Sequence, residues 1–256
     1  MATTATERTY GKLRVRIYPG KPSLGAAAAL EAADVLKATI AARGEANFMM
    51  ATGNAGLTFL AALRKDKTVD WTKVNMFHMD EYKGISATHP ASFRLFIHKN
   101  LSDWLPFKTA NYIEGDAPSA EAEAKRYADL LVKYPIDLCH CGIGENGHLA
   151  FNDPGVADFK DPLLVKIVEL DHACRQQQVG EGHFPDMAAV PTHAITVTIP
   201  GLLRAKRIVC VVPEKRKAQA VHDALLGPIA TSCPSSILRT LSNTTLYLDR
   251  NSASLL

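Results

Sequence analysis

The stretch IDLCHCGIGENGHLAFNDPG, residues Ile136–Gly155, decides the fold. A short, largely apolar run, Ile136–Cys141, stops at Gly142 and gives way to a polar loop punctuated by glycine. A run too short for a helix and bounded by turn residues reads as a strand buried on both faces. The same form recurs at Leu13–Tyr18, Asn47–Thr52, Val74–Met79, Leu164–Leu170, Ala194–Thr198, Ile208–Val212 and Thr245–Leu248.

Between these runs lie helical patterns. Ser23–Ala42 is alanine-rich and Gly44 stands where it can end a helix, while Ala122, Tyr127, Leu130 and Leu131 make a helical stripe within Ala120–Lys133. Shorter helices are predicted at Leu57–Arg64, Ala91–Asn100 and Arg216–Leu226. Strands alternating with helices predict an α/β fold, a mostly parallel sheet with helices on both faces. The connections are short except for Asp171–Val190, where RQQQVGEGHFPDM has no clear period and reads as a long irregular loop of the kind that carries function.

The 256 residues, 47% hydrophobic and 21% charged, suffice for one substantial core, and a single domain over residues 1–256 is expected. The formal net charge of +3 is spread along the chain without a basic stripe, which argues against a nucleic-acid partner. Five cysteines, none in CxxC spacing, read as buried reduced thiols. The N-terminal MATTATERTYGKLRVRIY lacks the apolar centre of a signal peptide, and no run approaches the ~20 apolar residues of a membrane span. A cytoplasmic location and no membrane partner are the expectations.

Ligands of such sheets bind at the carboxyl ends of the strands. ATGNAG, residues 51–56, follows one strand and precedes a helix, so Thr52, Gly53 and Asn54 offer backbone to a phosphate, although a glycine turn alone is ordinary. Asp80 and Glu81 stand at the tip of another strand, where carboxylates need a partner or a task; a cap or an ion pair is the alternative. His78, on another face, reads as packing. After Cys141, Gly144 brings backbone close to whatever binds, and His148 has Glu145, Asn146 and Asp153 at hand to orient its ring for acid–base work. No second histidine or cysteine lies at ligand spacing nearby, so no metal is expected. After Val212, PEKRKAQA puts Lys215, Arg216 and Lys217 at a helix start, where cations are unfavourable unless an anion is present. With the ATGNAG loop they would form a two-sided phosphate clamp, or else a solvated charged face.

MDEYKGISATHPASF, residues 79–93, and GIGENGHLAFNDPG, residues 142–155, resemble the paired signatures of glucosamine-6-phosphate deaminases, DEYxGxxxxHPxSY and GxGxxGHxxFNEPG. The sister 6-phosphogluconolactonases carry DER and a GHTASLFP-like continuation, which this chain lacks. The resemblance, fainter from Arg14 to Leu248, implies a Rossmann-like fold with no nucleotide cofactor and no metal. It implies that Asp80 moves a proton between C2 and C1 of the opened sugar, that His148 promotes ring opening, and that Asn146 and Asp153 hold His148. Lys217 would grip the substrate phosphate opposite residues 52–54.

The chain departs from the pattern in four places. Ala55 lacks a hydroxyl usual in the phosphate loop, Asn146 is an aspartate in some relatives, and Asp153 replaces a glutamate. The shorter Asp153 is expected to lengthen or water-bridge its contact with His148. The arginine usual before a phenylalanine pair is absent: Arg175 matches an earlier one, and His183-Phe184 stands instead. Gly180–Phe184 would then form part of the substrate wall with His183 reaching a hydroxyl or the phosphate; the alternative is that His183 packs beside Phe184.

The implied reaction is isomerisation and deamination of glucosamine 6-phosphate to fructose 6-phosphate and ammonium. Lactone hydrolysis and a catalytically silent sugar-phosphate sensor are the alternatives. The implied partner is a small-molecule sugar phosphate, with assembly into a homo-oligomer left open.

Overall fold

The computed structural model describes residues 5–180 and 182–256, with backbone alone at Ala173 and Gln177. The strands are β1 (Thr6–Tyr10), β2 (Leu13–Tyr18), β3 (Ala46–Met50), β4 (Val74–His78), β5 (Asp80–Tyr82), β6 (Thr109–Asn111), β7 (Leu138–Cys141), β8 (Val165–Glu169), β9 (His193–Val197), β10 (Arg207–Val212) and β11 (Thr244–Asp249). The α-helices are α1 (Lys21–Arg43), α2 (Leu57–Lys65), α3 (Phe93–Ile97), α4 (Ala120–Lys133), α5 (His172–Gly180), α6 (Ile199–Leu203) and α7 (Ala218–Leu226).

Eight strands form one sheet in the order β1-β2-β11-β10-β7-β3-β4-β6, parallel except for the β1–β2 hairpin. Period-two alternation sends its side chains into two cores. Phe48, Met50, Val209 and Val211 pack under α1 and α2, whereas Met49, Cys139, Cys141, Cys210 and Val212 pack with Tyr127, Leu131 and Val221 from α4 and α7. Helix α1 is long because alanine costs little to order; Gly44, at φ 85°, ends it by donating to the Ile40 carbonyl.

The sequence reading goes wrong in two places. The runs at 164–170 and 194–198 are strands, but they do not join the parallel sheet: β8 and β9 pair antiparallel with each other and with β5 in a separate three-stranded sheet. An apolar run of this length carries no mark of its pairing partner, which tertiary contacts choose. Second, the expected irregular loop 171–190 contains α5. Its glutamines hide any apolar period, yet Asp171 Oδ1 accepts from the Cys174 amide at 2.6 Å, a helix N-cap, and Cys174 and Val179 dock with Phe151 and Leu170.

All five cysteines are free; four are buried and Cys233 is half-buried. His78 is a packing residue as expected, fully buried, its Nε2 accepting from the Ile113 amide at 2.8 Å, and burial lowers its pKa to about 3. Among the described residues no helix is long and apolar enough to cross a membrane.

Candidate active site

Strands β3 and β7 are neighbours from which the chain departs in opposite directions, through β4 to β6 on one side and β10 to β11 on the other. At such a switch point the loops beyond the carboxyl ends diverge and leave a crevice. The crevice here is a cleft of about 210 Å³. Thr52, Gly53, Asn54, Asp80, Gly144, His148, His183 and Lys217, all singled out from sequence, line it; Asn146 and Asp153 stand behind His148.

One end of the cleft suits an anion. Gly53 has φ 118°, a conformation glycine adopts without strain, and the chain then turns through Asn54–Gly56 into the start of α2. From the opposite side comes the turn Lys215–Lys217. Its three cations part company: Lys215 is exposed and away from the cleft, Arg216 lines the cleft but reaches Glu145 at 2.9 Å and Glu214 at 2.6 Å, and Lys217 is 4% exposed and lines the cleft. The preceding Glu214 holds φ 85° and Ala150, on the cleft wall, φ 51°. These are the non-glycine residues with positive φ among those described; Ala150 lines the cleft and Glu214 leads into the turn that does, where backbone strain commonly collects.

The other end is built for protons. Asp80 and Glu81 follow β4 in sequence but pair with Thr196 and Ile195 of the small sheet, so their side chains point to opposite faces. Glu81 turns away from solvent and accepts from the Tyr82, Phe93 and Arg94 amides and the Ser92 hydroxyl at 2.8–3.1 Å, closing the start of α3. Asp80 faces the cleft at 6% exposure. Burial, and then the charge of Glu81, push the Asp80 carboxyl well above the usual carboxylate range.

His148 is held from behind. Its Nδ1 lies 2.8 Å from Asp153 Oδ1, so the contact expected to be lengthened or water-bridged is short and direct, as an ion-pair contact and not as an aligned hydrogen bond. Burial pushes the Asp153 carboxyl up, but the hydrogen bond and charge of His148, with donors from Asn146 and Cys174, bring it below its usual range. Asn146 does not touch the imidazole; it donates to Asp153 at 2.8 Å and accepts from the His148 amide at 3.1 Å. The ring lies so close to Gly144 that a Cβ there would come within 2.2 Å of Nε2, which requires glycine.

In the substrate-wall segment His183 lines the cleft, its amide donating to the Gln178 carbonyl at 3.0 Å, while Phe184 is buried against Tyr82 and His89. Glu181 lies outside the described residues. Sequence reading missed Gln178, a buried amide on the cleft wall, and Cys174, whose sulfur shares a 4.8 Å cluster with donor atoms of His148 and Asp153. Those three could hold a metal only by taking up donor atoms of the imidazole–carboxylate pair. Neither residue carries a local motif that would have revealed it.

A family model described as glucosamine-6-phosphate isomerases/6-phosphogluconolactonase matches residues 19–247. A glucosamine-6-phosphate deaminase of Listeria welshimeri is 36% identical over 214 residues, 83% of this chain and 89% of that protein. One of Bacillus thuringiensis is 38% identical over 206 residues, 80% and 76% of the two chains. Among solved structures, a monomeric glucosamine-6-phosphate deaminase superposes with a TM-score of 0.86 at 29% identity, covering 94% of this chain and 99% of that one. A 6-phosphogluconolactonase of Shewanella baltica, 18% identical over 94% of this chain and 97% of its own, shares the fold with a TM-score of 0.75.

Proposed function

The chain belongs to the family of glucosamine-6-phosphate isomerases and 6-phosphogluconolactonases, and from that premise we propose that it converts glucosamine 6-phosphate and water to fructose 6-phosphate and ammonium. The observation that carries this reading is Asp80, a buried carboxyl on the cleft wall whose proton affinity is raised by burial and by Glu81, with an oriented imidazole on the same cleft. A carboxylate of raised pKa is a stronger base, better matched to removing a carbon-bound proton near neutral pH.

The phosphate lies against Thr52, Gly53, Asn54 and Lys217. His148, its Nδ1 engaged by Asp153, presents Nε2 to the sugar and transfers the proton between the ring oxygen and the C1 hydroxyl that opens the ring. Asp80 takes the proton from C2 and returns it to C1, leaving an iminium at C2. Water adds there, the C–N bond breaks, and ammonium leaves with the ketose phosphate. Asn146 and Asp153 hold the imidazole, Gly144 gives it room, and His183 lies on the sugar side of the wall. We take residues 1–256 as one domain, since both sheets contribute to the cleft, and a cytoplasmic setting follows from a charged metabolite as substrate.

Incubation with glucosamine 6-phosphate, following ammonium and fructose 6-phosphate together, is the test. Equal production of both supports the reading; hydrolysis of 6-phosphogluconolactone with no ammonium would overturn it.

A further inference from the structure

Behind His148, the Asp153 carboxylate is 1% exposed. Its Oδ1 takes the His148 and Asn146 contacts, while Oδ2, buried, has no hydrogen-bond partner. A buried carboxylate oxygen without a donor is costly. Facing it is the first turn of α5: the sulfur of Cys174, 2% exposed, lies with the Asp153 and His148 donor atoms inside one 4.8 Å cluster. The turn is fixed there by Asp171, whose Oδ1 caps the Cys174 amide at 2.6 Å and whose Oδ2 accepts from Asn146 at 3.4 Å. Asn146 thus spans from Asp153 to the helix start. The charged and titratable groups facing this turn are Asp153, Asp171, Asp80 and His148.

We propose that Cys174 is a positioning residue, its thiol donating to Asp153 so that the carboxylate stays ionised and aligned on His148 Nδ1. The inference rests on the reading of His148 as the proton carrier. A thiol is a weak donor, but to an ionised, buried acceptor even a weak donor fixes orientation. The ionised form of Asp153 accepts the Nδ1 proton, which leaves Nε2 as the acceptor that ring opening requires. Losing the thiol leaves Asp153 more basic, so it stabilises the imidazolium more strongly while holding it less well.

The test is nitrogen-15 NMR of histidine-labelled, ligand-free protein across pH, with His148 assigned from His148→Gln, on wild type, Cys174→Ala and Cys174→Ser. Cys174→Ala is expected to raise the His148 titration midpoint by about half a unit, roughly threefold in its protonation constant. The same variant should lower kcat about fivefold, the scale of one ordinary hydrogen bond, with KM little changed. Cys174→Ser, which keeps a donor, should restore both. If Cys174→Ala does not fold, Cys174→Val takes its place. A wild-type His148 titration and kcat in the donor-less variant, or a serine variant no better than alanine, would show that Cys174 only packs. The NMR arm needs no turnover, so a failed substrate assignment would not be mistaken for a failed positioning role.

Discussion

The two ends of the cleft rest on different supports: Thr52–Asn54 and Lys217 follow parallel strands of the large sheet, whereas Asp80 sits where that sheet hands over to the small antiparallel one, and Asp153 is backed by α5. On the proposed reaction, the anion end would work through backbone and one cation, which stay the same as the substrate reacts, and the proton end through protonation states, which burial and neighbouring charges set. Substitutions at the first should therefore change binding, and at the second, rate.

The sharpest break in this comparison comes from Asp80→Asn. It should lower kcat by at least ~10²-fold with KM nearly intact, since general base catalysis is worth that much. Steady-state ammonium release checks it; more than a tenth of wild-type turnover removes Asp80 from the role. Next, Lys217→Ala should raise KM about tenfold or more with kcat close to wild type, the loss of a charged contact to a group that does not react. An unchanged KM would move the clamp to Arg216, which also lines the cleft, or show that there is no clamp.

Two adjacent acids then separate structure from chemistry. Glu81→Ala should destabilise the fold by about 1–3 kcal/mol, because it orphans buried donors at the start of α3. Asp80→Asn should do the reverse. The folded-state pKa of Asp80 lies above its unfolded value, so its contribution to stability is whole below about pH 3.9 and is lost as pH rises toward the folded value. The melting-temperature advantage of Asp80→Asn over wild type should therefore grow from pH 5 to pH 8, and a constant or reversed difference in thermal melts would contradict the burial cost. The smallest effect is expected from His183. If its imidazolium meets the phosphate, substrate affinity weakens as pH rises through roughly 6–7, the ordinary histidine range, and His183→Gln flattens that trend. Parallel profiles of KM against pH would show that His183 meets the substrate, if at all, without charge.

Much of the anion end was legible because its signals are local. A strand, a glycine turn and a helix start lie in consecutive residues, and backbone geometry follows from them. Yet the charge run alone did not tell Lys217 from Lys215 and Arg216; the fold buries Lys217 and engages Arg216 with the distant Glu145 and the adjacent Glu214. At the proton end the motifs marked Asp80 and His148, but residue type and position alone did not separate Asp80 from Glu81; pairing with β9 turns them to opposite faces.

By itself, then, the sequence determined the alternation of strands and helices, the reversal loops that carry the glycines, and the candidates for acid–base work, all encoded within a few consecutive positions. Only the tertiary structure decided that β5, β8 and β9 leave the parallel sheet, that 172–180 is a helix, and that Cys174 stands behind Asp153. Those depend on partners 21 to 116 residues away, whose choice is made by burial and by the satisfaction of polar groups across the whole chain, beyond the reach of short-range pattern.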